Sequence, residues 1–110
     1  MKIMMLIVLL AISGTTHARF YTSNQLLDLC RSEKVEHQNV CRGFLGGVVD
    51  SIDILKSWGD IPNDYFCAPE TTSLSQLQII YIKYSHNNPQ YQDWLASSIA
   101  MNAFFLEFPC

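Results

Sequence analysis

The sequence predicts a small all-α protein in which four helices form one domain and two disulfides hold the domain together. Three observations support this fold class. Apolar residues recur at helical spacing along much of the chain, no stretch alternates apolar and polar residues as a half-buried strand does, and four cysteines occur among 110 residues. A chain of this length is expected to form a single domain.

The first 18 residues are predicted to be a secretory signal peptide. One lysine, Lys2, precedes an apolar run at positions 3–12, and small or polar residues then lead to Ala18, after which we expect cleavage. The run is shorter than the roughly 20 apolar residues of a membrane-spanning helix. We therefore expect the domain to occupy residues 19–110, to be exported to the periplasm and to leave the membrane after cleavage.

The first two predicted helices have recognisable boundaries. Helix one, at about 23–31, follows a capping box formed by Thr22 and Gln25. Helix two, at about 37–58, is the longest and carries a broad apolar stripe at helical spacing. It is expected to stop at Gly59, because glycine commonly ends helices.

The third and fourth predicted helices are separated by a short polar turn. Ser73 and Gln76 form a second capping box, at which helix three is expected to begin. Helix three is expected to end in the sequence HNN, whose last residue, Asn88, is predicted to cap helix four with Pro89 as its first residue. Helix four runs to about Phe108 and is apolar on more than one face, so we expect it at the centre of the core.

The four cysteines are predicted to form two disulfides, because an exported chain folds in an oxidising compartment. Four cysteines permit three pairings, and the sequence alone does not choose among them. The favoured pairing joins Cys30 to Cys41, which closes a short loop between two predicted helices, and Cys67 to Cys110, which ties the last residue to the middle of the chain. Each disulfide is expected to stabilise the domain by about 2–4 kcal/mol.

Three glycines in helix two, Gly43, Gly46 and Gly47, are predicted to share one helix face with Asp50. Each glycine costs a helix about 1 kcal/mol relative to alanine. We therefore expect another helix or a chain terminus to approach this face closely. Asp50 is expected either to accept hydrogen bonds beside this face or to stand in solvent. A phosphate-binding loop is not expected, because the glycines lie inside a helix and no P-loop lysine follows them.

No residue pattern indicates a nucleic-acid, metal or catalytic site. The 7 basic residues form no cluster and are outnumbered by 10 acidic ones, which argues against nucleic-acid binding. His37 and His86 could bind metal, but the chain lacks the cysteine and histidine spacings of zinc motifs. No nucleophile motif or carboxylate pair is evident. We expect a binding protein without a cofactor.

The loop between helices two and three is the candidate partner-binding surface. Its aromatic and polar side chains precede a cysteine anchor, and rigidly held aromatic residues are typical interface anchors. The alternative is that these aromatic residues only cover the core. The turn after helix three is a second candidate, with a plain connector as the alternative. The predicted partner-binding residues of the two segments are Trp58, Asp60, Asn63, Asp64, Tyr65, His86 and Asn87.

Three blocks of sequence, taken in order, resemble the Rap/Tai type of immunity protein. The first is CRGFLGGVVD, from Cys41 to Asp50. The second is FCAPETTSLSQL, from Phe66 to Leu77. The third is the terminal FPC, at Phe108–Cys110. The resemblance extends over nearly all of residues 20–110.

This resemblance implies both a fold and a mode of action. Such proteins are periplasmic, helical and often dimeric, and they block the cleft of a cognate peptidoglycan amidase delivered by type VI secretion without doing chemistry themselves. The loops that contact the amidase differ between members, so those residues do not carry over. The positions that carry over as scaffold are the four cysteines, the three helix-two glycines, Asp50, Phe108 and Pro109.

An envelope stress or chaperone-like protein is the alternative function. The apolar fourth helix could bind clients if acid loosened the domain. However, sensing pH near neutrality usually depends on histidines, and only His37 and His86 follow the predicted signal peptide. Because one scaffold can serve several functions, the fold alone does not decide between the two.

Overall fold

A computed structural model describes residues 20–110 and shows a helical domain. The predicted signal peptide lies outside the described residues. The four α-helices, numbered here in chain order, are α1 Ser23–Arg31, α2 Val35–Ser57, α3 Leu74–Asn87 and α4 Ala96–Glu107, and a short 3₁₀ helix spans Pro89–Tyr91. The predicted all-α fold class is confirmed. None of the helices within residues 20–110 has the length and apolar character needed to cross a membrane.

Both predicted capping boxes are present. Thr22 Oγ1 accepts a hydrogen bond from the backbone N–H of Gln25 at 3.2 Å, and Gln25 Oε1 accepts one from the N–H of Thr22 at 2.9 Å. Ser73 and Gln76 make the same reciprocal pair at 3.2 and 2.7 Å. Each box satisfies two backbone donors, and a cap of this kind is worth about 1 kcal/mol.

Helix α2 begins at Val35, earlier than predicted, and ends at Ser57. The polar turn before it is ordered by Gln38, whose Nε2 donates to the carbonyl of Ser32 at 3.0 Å. The end of α2 agrees with the prediction, because Gly59 directly follows the C-cap and adopts φ +79°. This left-handed conformation is easy for glycine and turns the chain sharply away from the helix axis.

The prediction that helix four starts at Pro89 is wrong. The Pro89–Tyr91 segment forms a single 3₁₀ turn, and α4 begins only at Ala96. The first backbone N–H groups of a helix need partners outside the helix. At the start of α1, the N–H of Ser23 donates to the carbonyl of Trp94 at 2.7 Å, and that of Asn24 donates to the carbonyl of Gln92 at 3.0 Å. The carbonyls of Gln92 and Trp94, which would accept hydrogen bonds within the predicted helix, therefore accept them from α1 instead.

Asn88 also differs from its predicted role. Its side chain makes no cap bond to the turn that follows, and its Nδ2 instead donates to the carbonyl of Tyr84 at 2.8 Å. Asn88 therefore closes the end of α3, where free carbonyls need donors.

The core lies between the four helices, and α4 contacts each of the other three. Helix α2 contributes a face formed by Cys41, Leu45, Val48 and Ile52, and the expected central position of α4 is seen in its buried Ile99 and Phe104. The largest side chains that are completely buried are Tyr81, Phe104, Leu26, Leu45, Ile52 and Ile99.

Both favoured disulfides are confirmed. Cys30–Cys41 joins the end of α1 to α2 inside the core, where the two residues are 2% and 0% exposed. Cys67–Cys110 joins the loop between α2 and α3 to the segment after α4, and both of its residues are exposed. One disulfide is therefore part of the core and the other lies at the surface.

The glycine face is packed at only one of its three positions. A Cβ added to Gly46 would lie 2.9 Å from Leu74 Cδ2, whereas one added to Gly43 or Gly47 would meet no described heavy atom within 4 Å. The expected close approach is therefore wrong for Gly43 and Gly47, which point away from the buried face of α2. Asp50 is exposed, which agrees with the solvent-facing alternative.

Candidate partner-binding surface

Cysteine, histidine and acidic side chains are the groups that a catalytic or metal site would use. All four cysteines are in disulfides, so the chain offers no free thiol nucleophile. Among residues 20–110, no group of three or more histidine, cysteine or acidic side chains is placed to hold a metal ion. His37 pairs through Nδ1 with Ser32 Oγ at 2.8 Å, and His86 Nδ1 lies 2.7 Å from Arg31 Nη2, which donates to it.

The segment from Trp58 to Thr72, called here the α2–α3 loop, is the longest irregular connection among the described residues. Loops of this length inside a compact domain are often functional. Its first turn is fixed by two hydrogen bonds at the end of α2. Gly59 N–H donates to the carbonyl of Lys56 at 3.0 Å, and Asp60 N–H donates to that of Leu55 at 2.9 Å.

The loop exposes the side chains predicted to bind a partner. The Trp58 side chain is 68% exposed and the Tyr65 side chain is 56% exposed, so neither ring serves mainly to cover the core. The Tyr65 ring forms a T-shaped pair with Phe105, with ring centroids 6.1 Å apart. The other three predicted loop residues, Asp60, Asn63 and Asp64, are exposed as well.

Phe66 anchors the middle of the α2–α3 loop. Its side chain is only 2% exposed and packs edge-on against Phe105 and Phe108, at centroid distances of 6.3 and 5.8 Å. Lys56 Nζ donates to the carbonyl of Phe66, so a side chain of α2 satisfies the backbone at the same residue. Aromatic pairs of this geometry add about 0.5–1.5 kcal/mol beyond the area they bury.

A second anchor follows at Cys67. Its N–H donates to the carbonyl of Phe108 at 2.9 Å, and its sulfur is bonded to Cys110. Cys110 Sγ also lies 3.6 Å from the carbonyl oxygen of Asn63. The exposed part of the loop is therefore held between the end of α2 and the segment that follows α4.

The second predicted binding segment lies away from this loop. His86 and Asn87 are exposed at the end of α3, whereas the loop joins the beginning of that helix. At 1.5 Å per residue, the 14 residues of α3 separate the two ends by about 20 Å. The structure therefore does not bring all the predicted binding residues into one surface.

A groove between α3 and α4, called here the α3–α4 groove, is lined by both apolar and polar side chains and was not predicted. A cavity of about 290 Å³ lies between the helices, and Ile79 and Leu106 are 65% and 70% exposed beside it. Both residues are apolar but lie outside the buried faces of their helices. Such apolar residues on an otherwise exposed face were the feature of the sequence that could have indicated the groove. Burial, together with the nearby Tyr91, raises the pKa of Tyr84, which lines the groove.

A family model described as Rap1a immunity proteins matches residues 22–110. No curated protein and no solved structure matches the chain. The matched range includes all four helices and both disulfides, and it confirms the resemblance inferred from the three sequence blocks.

Proposed function

Because the chain belongs to the Rap1a immunity protein family, we propose that it neutralises a type VI-secreted peptidoglycan amidase by occupying the active-site cleft with its α2–α3 loop. Family membership implies an immunity protein that acts against a secreted effector. That the effector is an amidase, and that the α2–α3 loop binds it, are parts of our proposal. The protein does no chemistry in this mechanism and acts by keeping the peptidoglycan substrate out of the cleft.

The observation that carries this proposal is the pair of exposed aromatic rings on a doubly anchored loop. Trp58 and Tyr65 present large apolar surfaces to solvent, while Phe66 and the Cys67 disulfide hold the backbone directly after Tyr65. A loop that is already ordered loses little conformational entropy when it binds. Tryptophan and tyrosine are also the residues that most often dominate binding energy at interfaces.

The carboxylates of the loop give the proposed surface an electrostatic preference. Asp60 and Asp64 are exposed between the two aromatic residues in the sequence, on a chain with more acidic than basic residues. Such a surface favours a cleft with a basic rim. Charges of this kind mainly increase the association rate and select the partner.

We propose that this binding takes place in the periplasm, after cleavage of the predicted signal peptide. An amidase that attacks peptidoglycan reaches its substrate there. The two disulfides of the chain are suited to that oxidising compartment.

We also propose that two copies associate through the α3–α4 groove. Ile79 and Leu106 supply exposed apolar contact area, and the groove is lined by one cation, Lys83, and one anion, Glu107. In a two-fold dimer the same patch meets itself. Lys83 of each copy can then approach Glu107 of the other.

The proposed function is tested by a protection assay. The product of the open reading frame beside this gene is directed to the periplasm, and lysis is compared with and without co-expression of this protein. Protection from lysis, together with loss of amidase activity when the two purified proteins are mixed, is the expected result. Unchanged lysis with an active amidase as neighbour would refute the assignment. Suppression of client aggregation in acid would then favour the chaperone-like alternative.

A further inference from the structure

We propose that the Cys67–Cys110 disulfide is a redox latch that holds the α2–α3 loop in its binding conformation. This inference concerns regulation of the surface assigned above and rests on the proposed function. Reduction of this one disulfide is expected to loosen the loop and weaken effector binding, while the helical domain remains folded.

The two disulfides differ in their access to a reductant. Cys67 and Cys110 are both exposed, whereas Cys30 and Cys41 are 2% and 0% exposed in the core. Thiol–disulfide exchange requires a thiolate to reach a sulfur of the disulfide, so its rate depends on access. A soluble thiol should therefore open Cys67–Cys110 first, without unfolding of the core.

The exposed disulfide joins the α2–α3 loop to the segment after α4, and neither of its cysteines lies in a helix. Cys67 lies within the α2–α3 loop, and Cys110 lies beyond the end of α4 at Glu107. The loop and this segment also meet through the Cys67 N–H bond to Phe108 and the contact of Cys110 with Asn63. Opening the disulfide frees residues 109–110 and leaves these weaker contacts to position the loop.

The remaining anchor explains why the domain should stay folded. Phe66 is buried against Phe105 and Phe108, and its ring makes these contacts apart from the disulfide bond. The Cys30–Cys41 disulfide and the helix contacts are likewise separate from the latch. We therefore expect greater mobility between Asp60 and Cys67 and little change in α2.

The exchange chemistry requires two equivalents of a small thiol such as glutathione. The first thiolate attacks one sulfur, breaks the S–S bond and forms a mixed disulfide, while the other cysteine leaves as a thiolate and takes a proton. The second thiolate attacks the glutathione sulfur of the mixed disulfide, and the first cysteine leaves as a thiolate and takes a proton. Two electrons pass to the protein, and one molecule of oxidised glutathione is formed.

The latch would make effector binding depend on the redox state of the compartment in which the protein is located. Before export the chain is in a reducing environment, where the exposed pair is expected to remain open. The loop would become ordered only after oxidation outside the cytoplasm. Effective neutralisation would then be confined to the compartment in which the amidase acts.

The first test uses the protein alone. The oxidised chain is incubated with reduced glutathione for increasing times, thiols are alkylated, and peptides are mapped by mass spectrometry. Cys67 and Cys110 should be labelled about 10-fold faster than Cys30 and Cys41, and amide exchange at 60–67 should rise about 10-fold on their reduction, with α2 unchanged. Equal labelling of both pairs, unchanged loop exchange or loss of helical circular dichroism on selective reduction would each overturn the latch.

The second test compares matched variants against the amidase identified by the protection assay. Cys67→Ser with Cys110→Ser should bind about 10-fold more weakly than wild type while keeping its helical circular dichroism. Cys30→Ala with Cys41→Ala, examined below its own unfolding midpoint, should retain wild-type affinity. Wild-type affinity in the Cys67/Cys110 variant would contradict the latch. If no form binds the amidase, the proposed function fails, and the labelling and exchange results still decide whether the disulfide controls the loop.

Discussion

Tyr81 is the largest side chain that the domain buries completely, and its hydroxyl group connects α3 to the start of α1. The hydroxyl donates to the carbonyl of Ser23 at 2.8 Å and lies 3.2 Å from Ser23 Oγ. Desolvation by burial raises the pKa of Tyr81 above its ordinary value of about 10, although hydrogen bonding to Ser23 opposes this shift. The folded domain therefore favours the neutral phenol of Tyr81 over the phenolate.

Replacing Tyr81 by phenylalanine is expected to have a pH-dependent effect on stability. At pH 7 the variant should lose about 1 kcal/mol, because the hydrogen bond is lost and the Ser23 groups lose a partner. Above pH 10 wild-type Tyr81 ionises in the unfolded chain before it does so in the folded one, so the wild type loses stability as pH rises and the difference shrinks. Urea unfolding at pH 7 and pH 10.5 measures this. A constant difference would contradict the raised pKa.

Alanine substitutions at two α2 glycines form a second comparison at the residue scale. Gly47→Ala should stabilise the domain by about 1 kcal/mol, because the added methyl group meets nothing within 4 Å and alanine favours the helix. Gly46→Ala should gain less, because Leu74 must first move away from the new Cβ. Thermal unfolding of the two variants decides the order. Equal stabilisation would show that Leu74 moves at no cost.

At the scale of elements, the α2–α3 loop combines an exposed face, to which we assign binding, with a buried anchor. Trp58 and Tyr65 lie on the solvent side, whereas Phe66 enters the core. Substitutions on the two sides should therefore separate affinity from stability.

Trp58→Ala and Tyr65→Ala are expected to weaken amidase binding by about 2 kcal/mol each, or roughly 30-fold, and to change folding stability by less than about 0.5 kcal/mol. Phe66→Ala should instead cost about 3–5 kcal/mol of folding stability. Trp94→Ala provides a matched control, because Trp94 is 54% exposed but lies outside the loop. Calorimetric titration and urea unfolding measure the two quantities. Wild-type affinity in both loop variants would refute the proposed interface.

Charge reversal tests the same loop by a different route. Asp60→Lys with Asp64→Lys should slow association with the amidase, and the difference from wild type should diminish as salt rises, because exposed charges are screened. Stopped-flow association at two salt concentrations measures the effect. An unchanged association rate would remove these carboxylates from the interface.

The elements also show how far sequence reasoning could reach. The capping boxes at Thr22 and Ser73, and the stop at Gly59, depend on neighbouring residues and could be read locally. The late start of α4 could not, because it depends on donors of α1 that bind carbonyls about 70 residues further along the chain. Local patterns predict where helices form, but long-range hydrogen bonds decide where some of them begin.

The candidate site was predictable to a similar degree. The aromatic and acidic residues before Cys67 identified the loop, because turn residues and a cysteine anchor are visible in sequence. The α3–α4 groove required the relative placement of two helices, which exposes Ile79 and Leu106 together. Periodicity alone assigned α3 only one apolar face.

At the scale of the whole molecule, the α3–α4 groove and the α2–α3 loop are different kinds of surface. The groove combines apolar side chains with polar ones, including Lys83 and Glu107, whereas the loop is aromatic and acidic. A patch that carries both charge signs can meet its own copy, while the loop favours a basic partner. A dimer joined through the groove could leave both loops free to bind.

The dimer is tested by substitutions in the groove. Ile79→Asp and Leu106→Asp should each shift the protein to monomer in sedimentation velocity, because a charge would be buried in an apolar contact. Val35→Asp is a matched control, since Val35 is 68% exposed at the start of α2 and outside the groove. A monomeric wild type, or a dimer that survives both groove substitutions, would refute this contact.

The disulfide connectivity has a consequence for biosynthesis. Cys30 pairs with Cys41 across 11 residues, and Cys67 pairs with Cys110 across 43. The first cysteine of the chain is therefore joined to the second, and the third to the fourth. A chain that crosses the membrane with its N-terminus first, as the proposed export requires, presents the four cysteines in this order. An oxidase that joins cysteines as they emerge thus yields the native pairs directly. Maturation should then proceed without a disulfide isomerase.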